Sequence, residues 1–293
     1  LLFFATGIAR AEAASPACPP PGKDFPPFYE DAGLFEAAIA KVAGHEPSNV
    51  RLSGVTVPHH LLADRLVALG NTAFSSPLLY GEAARAAGIT CNACHTNGHI
   101  NRAFFVPGAS AHPGSFDATS AAFNPRADNF VHDPLDIPSL RGTRLTGPWG
   151  RDGRIGSLRE FARHVIVDEF AGPEPSPLIL DALTAYLNEQ SFLPNPRIDR
   201  FGRLSADATE SERRGQTLFE TPFAGLGGQA CATCHIPSAL FTDGRVHDVD
   251  SGGRFKTPTL LNSADSAPYF HDGAAADFAA VVTHFDQRFA LGL

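Results

Sequence analysis

Two short runs hold most of the reactive side chains of this 293-residue chain, CNACH at residues 91–95 and CATCH at 231–235. In each, two thiols stand three positions apart and an imidazole follows the second directly. A single helical turn would bring such thiols to one face. A C-x-x-C pair alone serves a redox dithiol or half of a zinc site, but zinc needs a further ligand pair at similar spacing, and neither run has one nearby in sequence. The histidine placed immediately after the pair selects haem attachment: two thioethers form to the haem vinyl groups, and the imidazole lies beneath the iron as its proximal ligand. Cys91, Cys94, Cys231 and Cys234 are therefore expected to carry two covalently bound haems c, with His95 and His235 on the irons. Cys18 is the fifth cysteine, has no partner, and is expected to play no catalytic part.

The elements that must position these groups are repeated along with them. GNTAF at 70–74 and GQTLF at 215–219 stand upstream of the two runs. Downstream, IPSLRGTRLTGPWGRDG at 137–153 aligns without a gap with TPTLLNSADSAPYFHDG at 257–273, an offset of 120 residues. Such self-similarity predicts two domains of common ancestry, over 60–195 and 196–293, with the boundary in SFLPNPRIDRFGRL at 191–204, where prolines, a glycine and charges interrupt the helical pattern. Within them the periodic segments read as amphipathic helices. Ser157 to Glu160 is a capping box opening a helix with Leu158, Phe161, Ala162 and Val165 on its apolar face. Ser176 before Pro177 starts another, carrying Leu183, Tyr186 and Leu187. A last helix, about 275–289, presents Phe278, Val281, Val282, Phe285 and Phe289 at three- and four-residue spacing. The expected fold is all-α: two cytochrome c-type haem domains with long irregular loops and at most minor strands.

Composition bounds the partners. The chain is 43% hydrophobic and 18% charged with a net charge of −8, which disfavours nucleic acid, and after its first residues it has no apolar run long enough to span a bilayer. Residues 1–15, LLFFATGIARAEAAS, read as the remnant of a secretory signal, which predicts a periplasmic mature protein. Residues 16–28 form a proline-rich linker that leads an N-terminal extension reaching residue 59.

Two C-x-x-C-H domains, each followed by a Pro-Ser/Thr-Leu stretch and an Asp-Gly turn, resemble the bacterial di-haem cytochrome c peroxidases and MauG-type enzymes. KTPTLLNSADSAPYFHDG at 256–273 carries the most specific part of that resemblance, which covers about residues 60–293. It implies that one haem delivers or stores electrons while the other reacts with hydrogen peroxide to give high-valent iron. In the MauG-type branch, which includes proteins linked to methanobactin clusters, the oxidising power goes to a residue of a partner protein. In the peroxidases the electrons come from a small redox protein. A non-catalytic di-haem electron carrier is the reading of another class, since twelve histidines leave ten after the proximal pair.

The same resemblance points to further residues. The peroxidases usually hold the electron-transferring haem with a methionine, and this sequence has none. At the tyrosine that MauG uses there, this chain has Phe285, with His284 beside it as an iron ligand or a surface histidine. The family's inter-haem tryptophan precedes an Asp-Gly-Arg; here Arg151 fills that slot, and Trp149 and its repeat mate Tyr269 either pass electrons or pack against haem edges. Family members use a glutamate to move a proton between the peroxide oxygens. Glu169, eleven residues after Leu158 and so on the same face of its helix, is the candidate, with His164 the second; a buried carboxylate there would have a raised pKa. The calcium ion that many members bind between domains corresponds here to Asp136, Ser266 and Pro268, oxygen donors of a kind calcium accepts.

Overall fold

The computed structural model describes the backbone of residues 50–52, 55–57 and 59–293, and side chains from Ala63 onward. The expected leader, Cys18 and the linker at 16–28 lie outside the described residues. Helices dominate: α1 (His59–Phe74), α2 (Glu82–Ala86), α3 (Cys91–Cys94), α4 (Leu158–His164), α5 (Pro177–Asn188), α6 (Glu210–Glu220), α7 (Cys231–Cys234) and α8 (Phe278–Phe289). Among the described residues strands are confined to three antiparallel two-stranded ribbons, β1 (Val50–Leu52) with β2 (Val55–Val57), β3 (Ser115–Phe116) with β4 (Leu135–Asp136), and β5 (Val246–Asp248) with β6 (Arg254–Lys256). Among the described residues no helix is long and apolar enough to cross a membrane.

Local sequence explains where these helices begin. Ser157 Oγ accepts from Glu160 N at 3.4 Å to open α4, and Ser176 Oγ accepts from Ile179 N at 3.4 Å to open α5, with Pro177 in its first turn. The last helix starts at Phe278 rather than near 275 because Asp277 caps it, its Oδ1 accepting from Ala280 N at 2.8 Å. After His164 the α4 ladder widens into one π turn, Val165–Glu169, closed by Phe170 N to Val165 O at 3.2 Å. A π turn adds one residue and shifts the phase of the side chains beyond it, a device that recurs at functional sites.

The main helical pair is α1 against α5. Gly70 permits their close approach: a Cβ there would lie 2.0 Å from the Ala182 carbonyl oxygen. Phe74 and Leu183 fill the contact with Ile166, and an aromatic group of Tyr80, Phe116, Phe123 and Phe170 extends it beneath the loop 100–137. Burying a side chain such as Leu183 is worth roughly 1.5–3 kcal/mol.

The downstream repeat recurs in conformation at its offset of 120. Gly142 and Asn262 both adopt left-handed backbone (φ 70° and 57°), each followed by a short 3-10 turn. Trp149 then bridges Ile155 as Tyr269 bridges Ala275. Trp149 Nε1 donates to Thr143 O at 3.1 Å, and Tyr269 OH donates to Ser263 O at 3.0 Å. The upstream repeat diverges, because Gly215, the mate of Gly70, has no close neighbour. The apolar core lies almost wholly between residues 73 and 187. Beyond residue 196 the buried apolar side chains are Ala230 and Ala275, while Phe219, Phe241, Phe255, Phe270, Phe285 and Phe289 are half-buried.

Candidate functional site

Both C-x-x-C-H runs fold alike. Cys91 and Cys94 sit at the ends of the one-turn helix α3, where Thr90 Oγ1 accepts from Ala93 N at 2.9 Å. Cys231 and Cys234 sit at the ends of α7, where Thr233 Oγ1 accepts from Ala230 N at 3.0 Å. All four thiols are free, side by side in pairs on one helical face. The next residues, both histidines, leave the helix with similar backbone angles, φ −112° and ψ 61° at His95, φ −90° and ψ 70° at His235.

The downstream repeat holds these imidazoles. His95 Nδ1 is 2.9 Å from Pro138 O, and His235 Nδ1 is 3.0 Å from Phe241 O with Pro258 O also in hydrogen-bonding reach. Pro138 and Pro258 are mates at the offset of 120. With Nδ1 committed to a carbonyl, Nε2 is the nitrogen left to face a metal. Burial pushes His95 down to about 4 and lowers His235, so both rings are neutral, the form that ligates. Burial also pushes Cys91 up to about 11 and Cys94 to about 12. Such thiols make poor redox dithiols and poor zinc thiolates, but a thioether sulfur is neutral and suits the surroundings. Beside the second run Phe241 packs on Phe219 at 6.2 Å, an apolar surrounding that likewise suits a planar apolar cofactor. The arrangement therefore fits haem at both positions. Asp243 and His247 also approach Cys234, but they pair with each other, His247 Nε2 to Asp243 Oδ2 at 2.7 Å.

The two acid/base candidates come together at the end of α4. Glu169, on the π turn and only 15% exposed at its side chain, lies 3.2 Å from Arg154 Nη2 and 3.6 Å from His164 Nε2. His164 Nδ1 is 3.1 Å from Asp168 Oδ2, so the imidazole is oriented from both sides. Burial raises the Glu169 carboxyl above its ordinary value, while His164 and Arg154 pull it back. The cluster adjoins the first C-x-x-C-H run through Phe170 and Tyr80: their rings pack edge to face at 5.3 Å, and Tyr80 OH is 2.9 Å from Cys91 Sγ.

Trp149 and Tyr269 occupy matching turns, and no ring contact joins them among the described residues; Tyr269 stacks instead on Phe278 at 4.6 Å. His284 is half-buried, its Nε2 3.2 Å from Val249 O and its ring 4.7 Å from Phe270. It lines a cavity of about 400 Å³ with Phe270, Ala275, Ala280 and Asp250. Asp136 is 5% exposed and receives the second half's turn directly, its N–H donating to His271 O at 2.8 Å. Its Oδ2 lies 3.7 Å from Arg151 Nη2, and Arg151 also donates to its carbonyl. Oδ1 is buried without a partner, an orphan that a cation would satisfy. Ser266 Oγ donates to Ser263 O at 3.0 Å.

Sequence reasoning missed Tyr80, Arg154 and Lys256. Arg154 stands next to the Asp-Gly turn, and only folding brings it to Glu169. Lys256 opens the KTPTLL stretch, and its ammonium donates to Thr146 O in the other half beside Arg151, where burial and that guanidinium push it down to about 8.

Comparison with known proteins agrees with this geometry. Residues 209–286 match the family described as di-haem cytochrome c peroxidase. Hydrazine synthase subunit gamma of Kuenenia stuttgartiensis is 27% identical, the match covering 46% of this chain and 52% of that protein. Methylamine utilization protein MauG of Methylophilus methylotrophus is 39% identical, over 22% of this chain and 21% of its own length. The chain thus spans about half the length of the first relative and about a fifth of the second. Among solved structures, Kuenenia stuttgartiensis hydrazine synthase superposes with a TM-score of 0.50 at 20% identity, covering 94% of this chain and 89% of that one. A MauG-like protein associated with microbial copper homeostasis superposes with a TM-score of 0.50 at 19% identity, covering 81% and 77%. Those two likenesses concern the fold. The matched region around the second C-x-x-C-H run, with the partial likeness to MauG, makes this chain similar to the di-haem cytochrome c peroxidase and MauG superfamily.

Proposed function

We propose that this chain is a periplasmic di-haem c-type oxidoreductase that reduces hydrogen peroxide and takes the electrons from a side chain of a partner protein. Cys91 and Cys94 hold the first haem and Cys231 and Cys234 the second, with His95 and His235 as proximal ligands and His284 as the further ligand of the second iron. When bound, the haems supply iron that peroxide can oxidise and a second redox centre to share the electron demand. The observation that carries the reading is the largely covered Glu169, held between Arg154 and His164 near the first C-x-x-C-H run.

The protein's own groups then have defined tasks. Glu169 in its carboxylate form takes the proton from one peroxide oxygen and returns it to the other as that oxygen leaves as water. Arg154 fixes the carboxylate, and Asp168 orients His164 behind it. Trp149 and Tyr269, one in each half, are the oxidisable side chains proposed to carry electrons. Asp136, with the carbonyls of Ser266 and Pro268, is proposed to hold a calcium ion that joins the halves where Arg151 and Lys256 already cross between them. Phe285 with His284 at the family's ligand position favours a side-chain-oxidising enzyme over a peroxidase fed by a small redox protein, because thioether ligation there would raise the potential of the second haem.

Electron paramagnetic resonance of the fully oxidised protein tests the enzymatic reading. One high-spin and one low-spin ferric signal are expected, the high-spin iron being the one open to peroxide. Two low-spin signals would replace the enzyme with a di-haem electron carrier.

A further inference from the structure

Tyr80 is drawn to the first attachment site by its backbone. Ser76 Oγ accepts from Leu78 N at 3.3 Å to start the turn Pro77–Leu79, and Tyr80 N returns to Pro77 O at 3.2 Å. Gly81 N then donates to Phe170 O at 3.0 Å. Two glycines allow the segments to come so close: a Cβ on Gly81 would lie 2.7 Å from Phe170 O, and one on Gly172 would lie 2.2 Å from Leu79 O. Clamped in this way, Tyr80 is 3% exposed, its ring against Phe170 and its hydroxyl 2.9 Å from Cys91 Sγ.

The second half is built differently at the same place. In the register set by GNTAF and GQTLF, Tyr80 falls on Gly225. There a Cβ would meet the Phe289 carbonyl oxygen at 1.5 Å, so no side chain can project from that position as the phenol does in the first half.

We infer that the Tyr80 hydroxyl donates a hydrogen bond to the haem-binding sulfur of Cys91 and thereby tunes the first haem alone. The inference rests on haem attachment at Cys91. A sulfur bonded to two carbons has no hydrogen to give, so the phenol is the donor. Burial keeps that phenol protonated, its ionisation pushed well above the ordinary value. A fixed O–H dipole aimed at that sulfur in a dry interior would favour an added electron on a haem held there, and hydrogen bonding next to the cofactor is one of the levers a protein has on haem potential. Tyr80 is thus a positioning and tuning residue, and it links the sulfur that would hold the first haem to Phe170, the residue that follows Glu169.

Tyr80→Phe removes the hydroxyl and keeps the ring packed on Phe170. In a spectroelectrochemical titration, one of the two haem potentials should fall while the other stays, with both haems still present by mass. In D₂O the wild-type protein should show a shift in its resonance Raman carbon–sulfur bands that the variant lacks. Unchanged potentials with no deuterium effect would overturn the inference, and so would an equal change at both haems, which marks a general packing effect. If Tyr80→Phe matures without its first haem, the deuterium shift in the wild type still decides. Failure of the attachment reading would be visible separately, as a wild-type mass with no haem at Cys91.

Discussion

Cys91→Ala and Cys231→Ala should each lower the covalent haem count from two to one, read by mass after acid denaturation, and the two losses should differ in their structural consequences. The first half has its own apolar core, with Phe74, Ile89, Ile166 and Leu183 almost fully buried. The second half buries only Ala230 and Ala275 among its apolar side chains. A group that binds the folded state alone stabilises that state, and the effect is largest where little else does. Cys231→Ala should therefore open residues 196–293 to limited proteolysis, whereas Cys91→Ala leaves α1 and α5 protected. Equal protection of both halves in both variants would show that neither segment relies on a bound haem. Two haems retained in both would remove the attachment sites themselves.

Glu169→Gln keeps the size of the side chain and its reach to Arg154 but abolishes the carboxylate. General acid–base catalysis by one positioned group is worth about 10²- to 10⁴-fold, and the second-order rate of the peroxide reaction should fall by that order. Both haem spectra should be unchanged. The pH dependence has a definite sign. The carboxyl is raised by burial, so it is protonated at low pH and gains its basic form only as pH rises through that elevated value. The wild-type rate should accordingly climb from the acid side to a plateau, and the variant should lose this limb. Because the folded state binds this proton more tightly than the unfolded chain does, the same group lowers stability as pH rises through its window. A variant with an unchanged rate and pH profile would move the proton transfer elsewhere, with His164 next in line.

Much of the architecture was legible because it is local. The C-x-x-C-H runs form one-turn helices whose caps lie in the adjacent residues, and the repeat at an offset of 120 reappears as matched turns around Trp149 and Tyr269. The starts of α4 and α5 were set by Ser157 and Ser176. Glu169 was placed on a buried face by α-helical spacing from Leu158, but the helix changes to a π turn after His164. The residue is covered through the packing of that turn, which the periodicity could not contain. Asp277 has the residue type of a cap, and reading it so would have set the start of the last helix.

The residues that stayed hidden depend on contacts between distant segments. Arg154 reaches Glu169 across fifteen residues, Lys256 reaches Thr146 across 110, and Tyr80 meets Cys91 only because Gly81 and Gly172 let two loops touch. The glycines were the available signal, since a glycine beside an aromatic residue outside any helix often marks close backbone approach. The expected equivalence of the two upstream repeats is also limited by long-range packing: Gly70 meets Ala182, while Gly215 meets nothing close.

The most direct measurement is stopped-flow mixing of the fully oxidised protein, with no prior reduction, against one equivalent of hydrogen peroxide. A side-chain-oxidising enzyme should give a fast, stoichiometric change in the haem absorption that persists and decays only when an oxidisable side chain or reductant supplies two electrons, with Trp149→Phe shortening its lifetime. An oxidised protein inert to peroxide, with activity appearing only after one-electron reduction, would contradict that function and leave a peroxidase that draws electrons from a small redox protein.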